Sequence, residues 1–387
     1  MLELLFLLLP VAMAYGWFMG RNSVKQNRHS EKQDLSSKFS TGLNYLLSNQ
    51  QDEAIDYLLE ALNLEDDTVE AHFAMANLFR KRGELDRALK IHEHLVLQKH
   101  LPNQYKHQAI FELAKDFYTA GLYDRAEAMF VRLLKVKQYR SRSLDFLLQI
   151  YQSTKDWQLG IALERIVRKV NDKKLKHGLA NFYCEIASGH MAKDENIEAL
   201  EALEKALDLD PLSCRSNQLM ANIYEKNEQY QQAIDKYVAI YDQDKEYFPD
   251  VIDAMQACYE ALDEEDKFIA ELKRMHDETG SASLLIKYAQ FIEQRQGTHK
   301  AASIMLSAMK RRPTISGFKH FVNMQASSEA ESGEQLAVIK ELISAYLSDK
   351  HRYNCRNCGF NSSVHYWSCP SCHEWEQLKP VRGFEGE

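Results

Sequence analysis

Hydrophobic positions fall into three regimes along this chain. From Leu4 to Met19 (LLFLLLPVAMAYGWFM) every residue is apolar or small and none is charged. From about residue 35 to 345 apolar residues recur with a helical period, and small residues mark regular intervals. The last 37 residues drop that period and carry four cysteines among aromatic and polar residues. The pattern therefore predicts an apolar N-terminal helix, a long helical array and a small C-terminal module.

The array repeats itself. A small residue followed three positions later by an aromatic opens a unit, and another small residue follows about twelve positions on. Gly42/Tyr45 leads to Ala54, Ala76/Phe79 to Ala88, Ala114/Phe117 to Ala126, Ala187/His190 to Ala199 and Ala221/Tyr224 to Ala233. Leu148/Tyr151 leads to Gly160, and weaker copies start at Gln256/Tyr259 and Ala289/Ile292. Units begin near residues 35, 69, 107, 141, 180, 214, 249 and 282, with a degenerate ninth around 316–345. This spacing resembles the tetratricopeptide repeat, in which small residues sit where two antiparallel helices touch and neighbouring pairs bury each other's apolar faces. Gly83 and Gly121 supply the positive-φ residue at the turn between paired helices, and extra residues near 99–106 and 174–179 are expected to form hinge loops. The fold class expected is all-α: residues 35–348 form a repeat solenoid of about nine units, preceded by a transmembrane helix and followed by a four-cysteine module.

Such an array offers a groove, and carrying over the repeat family's groove-facing positions implicates Asn77, Arg80, Lys115, Tyr118, Arg142, Asp145, Gln149 and Asn222. The competing reading for each of them is an ordinary solvated face.

The N-terminal run approaches the length of about 17–25 residues needed to span a bilayer. Ala12-Met13-Ala14 resembles a signal-peptidase site, but a secretory signal carries its positive charge before the apolar run. Here Arg21, Lys25, Arg28 and Lys32 follow it. The positive-inside rule then places the amino end outside and the rest of the chain in the cytoplasm, with residues 1–20 as an anchor and 21–34 as a basic linker. Ala12, Gly16 and Gly20 share one helix face and suit contact with a second membrane helix, although glycines are common in such helices in any case.

The terminal module, residues 351–387, reads C-x2-C-x10-C-x2-C through Cys355, Cys358, Cys369 and Cys372. Two cysteines two residues apart turn their thiolates onto one cation, and two such loops complete a tetrahedron. The module resembles the rubredoxin-like and zinc-ribbon class, with His373 where rubredoxins usually carry glycine. One structural metal ion is expected, zinc first and iron second, because four thiolates leave no open coordination position. Tyr353, Phe360, Tyr366, Trp367 and Trp375 are expected to build its core and a face that docks on the repeats. Cys184, Cys214 and Cys258 read as buried thiols in a reducing compartment.

Composition removes several alternatives. Gly (15) and Pro (7) are too few for a turn-rich β-protein, and a net charge of −8 gives no reason to expect nucleic acid. There is no phosphate-cradling glycine loop, HExxH helix or G-x-S-x-G elbow, so nothing requires an enzyme.

Taken in order, the MLELLFLLLPVA and AYGW opening, the repeats, and a YxCxxCGF…YWxCPxC ribbon followed by KPVRG resemble the lipopolysaccharide assembly protein B (LapB/YciM) family of Gram-negative inner membranes. The resemblance implies a non-enzymatic adaptor at the inner membrane that delivers the deacetylase LpxC to the membrane protease FtsH, opposed by an inner-membrane antagonist, and it leaves a homodimer open. From the residues alone, a redox protein with iron in the ribbon and a periplasmic assembly factor stay in play.

Overall fold

The structure is a computed structural model that describes residues 16–19, 21, 41, 66–328, 333–348, 350–384 and 386. The expected linker apart from Arg21, the expected first repeat apart from Thr41 and residues 66–68, and most of the expected anchor, Ala12 and Gly20 included, lie outside these. No helix among the described residues is long and apolar enough to cross a membrane. Two compact units are distinguished, Met1–Ile150 and Tyr151–Glu387.

In the first unit, helices α1 (Asp66–Lys81) and α2 (Leu85–Leu97) pair, as do α3 (Asn103–Thr119) and α4 (Tyr123–Leu133). Helix α5 (Lys137–Thr154) opens the next repeat. Ala76, Ala88, Ala114 and Ala126, marked by the repeat, are all fully buried. Without side chains beyond Cβ they let paired helices approach, and larger residues fill the space around them. Phe73, Phe79, Ile91 and Leu95 surround the first pair. Phe130 stacks on Phe146 at 4.9 Å, and Phe111 meets both edge-on. Gly83 and Gly121 take φ of 81° and 75° and end the first helix of each pair.

The second unit continues with the broken helix α6 (Trp157–Ile161) and α7 (Glu164–Val170). Then come α8 (Lys173–Met191) with α9 (Asn196–Leu209), and α10 (Cys214–Lys226) with α11 (Tyr230–Gln243). A short 3-10 turn, Phe248–Val251, leads into α12 (Ile252–Ala261), which pairs with α13 (Glu265–Thr279). The array ends with α14 (Ala282–Gln296) and α15 (Thr298–Arg311), then α16 (Ile315–Ser328) and α17 (Gly333–Ser348). Its main core gathers Tyr237, Tyr241, Phe248, Met255, Phe268 and Met275. Cys184, Cys214 and Cys258 are buried, as the sequence predicts.

One expectation needs correcting. Residues 174–179 form no hinge loop; they are the opening of α8, which Asp172 caps by accepting the Lys174 backbone N–H at 2.9 Å. Four later turns do without glycine, while Gly297 with φ 86° stands between α14 and α15. Lys155, Asp194, Glu228 and Asp263 hold φ between 56° and 63° at the positions that Gly83 and Gly121 occupy earlier.

Candidate metal centre

The terminal module is a three-stranded antiparallel sheet in the order β2-β1-β3, with β1 Tyr353–Cys355, β2 Asn361–Ser362 and β3 Leu378–Pro380. Cys355 lies opposite Leu378 across β1 and β3, which closes the sheet over a core of Tyr353, Cys355, Cys369 and Leu378.

Each cysteine pair sits in the same backbone loop. Cys355 donates its N–H to the Phe360 carbonyl at 2.8 Å and accepts the Gly359 N–H at 2.9 Å. Cys369 donates to Glu374 at 3.0 Å and accepts from His373 at 2.9 Å. Both loops need a left-handed residue at the fourth position after the first cysteine: Gly359 has φ 78° and His373 has φ 59°. This explains why a histidine stands where rubredoxins carry glycine: its side chain is not needed as a ligand, and its backbone completes the loop.

The four sulfurs all lie within 4.8 Å of one another. Cys355 and Cys372 are 3.8 Å apart, Cys358 and Cys369 3.7 Å. A tetrahedron with Zn–S bonds of about 2.3 Å has edges of about 3.8 Å, so the donor set fits one thiolate-loving cation. Before metal binds, the Phe360 backbone N–H draws the Cys358 thiol down to about 7, while burial pushes Cys369 up to about 12. His365 is no substitute ligand. Its ring packs on Trp367, Tyr247 and Tyr353 at 4.8, 5.1 and 5.4 Å, and burial lowers its pKa to about 4.

The loop geometry gives a direct prediction. Nothing lies within 4 Å of a Cβ built on Gly359, so Gly359→Ala costs only left-handed strain, about 1–2 kcal/mol. Chelator competition is expected to show metal released roughly tenfold more readily from that variant, and His373→Gly is expected not to share the defect. Equal retention by Gly359→Ala would show that the loop does not depend on this conformation.

The module is seated on the repeats of its own unit, as its aromatic residues lead one to expect. Trp375 meets Trp157 at 6.4 Å and Phe182 at 6.5 Å, and Arg215 on α10 lies over Trp375 and Trp367. Gly160 makes this possible, since a Cβ there would collide with the Phe182 ring. Around the seat, Tyr353 donates to Asp250 at 2.8 Å, Arg356 pairs with Glu246 at 3.2 Å, and Lys379 pairs with Asp244. Gln152, which belongs to the second unit, donates to the His373 carbonyl at 2.8 Å and so holds the second loop.

Beneath the seat lies Glu376, buried, accepting from Ser213 at 3.3 Å and Asn181 at 3.4 Å. Burial raises its pKa above the ordinary 4.5 despite His177 and Lys379 nearby. The folded state therefore holds this proton better than the unfolded one. The associated stability is present in full below about pH 4.5 and declines as pH rises through the raised folded value. Glu376→Gln is expected to melt higher than the parent at a pH of about 8, with the difference shrinking towards pH 4. Melting curves that stay parallel across that range would remove the buried charge as the cause.

The predicted groove residues fall into two groups. In the first unit Arg80 binds Asn77, the Glu112 carbonyl at 3.0 Å and Asp116 at 2.8 Å, and Lys115 pairs with Glu112 at 2.9 Å. Tyr118 donates to Gln149 at 3.2 Å, Gln149 to Asp145 at 3.1 Å, and Arg142 lies 4.3 Å over the Phe111 ring. Six of these side chains thus form two bonded sets along the consecutive first helices α1, α3 and α5, and Arg142 lies against Phe111. Asn222 belongs to the second unit, exposed, and accepts from Tyr237 at 3.4 Å. Gly16 is described, with open space around it. The sequence reading missed Asp116, Arg215 and Glu376, which look like surface residues until a distant partner buries them.

Residues 353–380 match the family model described as a rubredoxin metal binding domain. Residues 71–104 and 202–235 match tetratricopeptide repeat models. Over 390 residues, all of this chain and all of the relative, it is 40% identical to the lipopolysaccharide assembly protein B of Escherichia coli (strain K12). The protein of the same name from Haemophilus influenzae is 34% identical over 396 residues, again across both full chains.

Proposed function

The chain belongs to the lipopolysaccharide assembly protein B family, and from that premise we propose that it is an adaptor in lipopolysaccharide assembly. In this reading residues 1–20 hold it at the inner membrane with the repeats and ribbon in the cytoplasm. It carries LpxC to the FtsH protease, so that lipid A synthesis is restrained, and an inner-membrane protein antagonises it. The groove side chains from Asn77 to Gln149 in the first unit are the proposed partner face, and Asn222 in the second unit is a further proposed contact. Ala12, Gly16 and Gly20 form the proposed contact with a second membrane helix.

The observation that carries the reading is the end-to-end correspondence with relatives named for lipopolysaccharide assembly. The chemistry agrees with it. Four thiolates fill the coordination sphere of a zinc ion and leave no position for a substrate. The ion would be held by Cys355, Cys358, Cys369 and Cys372, and it would supply a cross-link between two loops rather than reactivity.

Depletion of the protein is expected to lengthen the half-life of LpxC and raise its level; an unchanged half-life would overturn the assignment. Purified protein is expected to be colourless with about one equivalent of zinc. A visible band that bleaches reversibly on reduction would instead indicate iron.

A further inference from the structure

The C-terminal end of the array carries a surface that neither the groove nor the metal centre uses. Between α15, α16 and the C-terminal tail lies an apolar slot of about 410 Å³, walled by Leu306, Met309, Ile315, Phe318 and Phe384. Leu306, Phe318 and Phe384 are 43%, 46% and 61% exposed. Large apolar side chains left facing water together mark an interaction site. The tail that forms one wall is fixed: Ile315 donates its N–H to the Phe384 carbonyl at 2.8 Å, and Arg382 pairs with Glu246 at 3.5 Å.

Two clefts adjoin the slot, and both are rich in cations. One, lined by Lys245, Arg311, Arg312 and Arg382 beside Glu246, shares Pro313, Thr314 and Phe384 with the slot. The other, between α13 and α15, holds Lys273, Lys300, Arg311 and Arg312 against Asp277 and Glu278. Lys245 and Arg274 already engage Glu278, and Arg312 donates to the Thr279 carbonyl. Lys273, Lys300, Lys310 and Arg311 make no ion pair or side-chain hydrogen bond among the described residues. In a chain of net charge −8, this is a local surplus of unspent positive charge beside an apolar recess.

We propose that this surface docks an acidic peptide segment of a protein partner, seating an aromatic or leucine side chain in the slot and laying carboxylates against Arg311, Lys300 and Lys273. A single apolar anchor in a pocket flanked by charge is how short segments gain both affinity and direction. The apolar side chains wall a recess, whereas membrane-surface binding relies on an apolar face that enters the lipid. The proposal rests on the adaptor reading only for the existence of a partner. The peptide experiment can fail while LpxC turnover still depends on the protein.

The test uses the full chain in detergent micelles. A phage-displayed random peptide library is panned against it, and an enriched peptide is titrated by fluorescence anisotropy. Enriched peptides are expected to carry acidic residues around a Phe, Trp or Leu. Phe318→Asp, Leu306→Asp and Lys300→Glu are each expected to weaken binding by about tenfold or more, with helicity unchanged. No enrichment over empty micelles, peptides without acidic character, or undiminished binding to all three variants would overturn the proposal. So would a lipid occupant. In nanodiscs without peptide, amide-exchange protection of residues 306–318 that appears only with phosphatidylglycerol would assign this face to the membrane surface.

Discussion

Cys369→Ser is expected to empty the metal site and release the whole terminal module from the repeats. Cys369 is 1% exposed and its sulfur lies 3.7 Å from that of Cys358, so a serine hydroxyl there offers a shorter, harder and protonated donor. Binding of structural zinc in small domains contributes roughly 10–16 kcal/mol, and that energy is their folding energy. The module cannot compensate by burial, because its core is Tyr353, Leu378, Phe360 and the cysteines themselves. Once the loops open, Trp367 and Trp375 leave Tyr247, Arg215 and Trp157. The expected result is metal content below about half an equivalent and a red-shifted tryptophan emission, since two of the four tryptophans move into water. Far-UV helicity should persist, because the helices hold their own apolar cores. LpxC turnover should fail with the seat. Retention of a full equivalent of metal would refute the four-sulfur site. Metal loss with normal LpxC turnover would leave the site standing and remove its part in partner handling.

How much of this was legible beforehand depends on whether a residue's environment is local. Ala76, Ala88, Ala187 and Ala233 were readable because helix pairing recurs at a fixed interval, and every one of them is fully buried. The cysteine pairs were readable because each loop closes within five residues, as the bonds from Cys355 to Phe360 and from Cys369 to Glu374 show. The seat was readable only as an excess of aromatic residues. Its polar members were not: Glu376 meets Ser213 across 163 residues and Asn181 across 195, and no periodicity connects such positions. The turns at Lys155, Asp194, Glu228 and Asp263 carried no glycine to mark them. A left-handed residue is required there, but packing on both sides lets a side-chain-bearing residue bear the strain that glycine would avoid. Arg80 shows the same limit within the groove, since its position in the repeat was legible and its anionic partners on the next repeat were not.

Those partners lead to the other large effect. Asp116 is fully buried in α3, with one carboxylate oxygen accepting from Arg80 at 2.8 Å and the other paired with the buried His92. Asp116→Ala takes this carboxylate from both partners at once, and removing one member of a buried ion pair costs about 3–5 kcal/mol. Glu112 and Asn77 still hold Arg80, so most of the loss falls on His92, whose other ring nitrogen already lacks a hydrogen-bond partner. The variant should therefore destabilise the first unit selectively. Trp157, Trp367 and Trp375 all belong to the second unit, which makes the claim measurable. In urea, the circular dichroism transition should gain an early component while the tryptophan transition stays in place. Asp116→Asn keeps the shape and an acceptor for Arg80, and is expected to cost less, about 1–3 kcal/mol. If asparagine were as damaging as alanine, the charge itself would be what α1, α2 and α3 depend on. If both transitions moved together, the cluster would be supporting the whole chain rather than its first unit. The same pair of variants also bears on the groove. Arg80 can serve a partner only while Asp116 and Glu112 hold its guanidinium in position, so Asp116→Ala should weaken partner binding through Arg80 even at temperatures where the first unit remains folded.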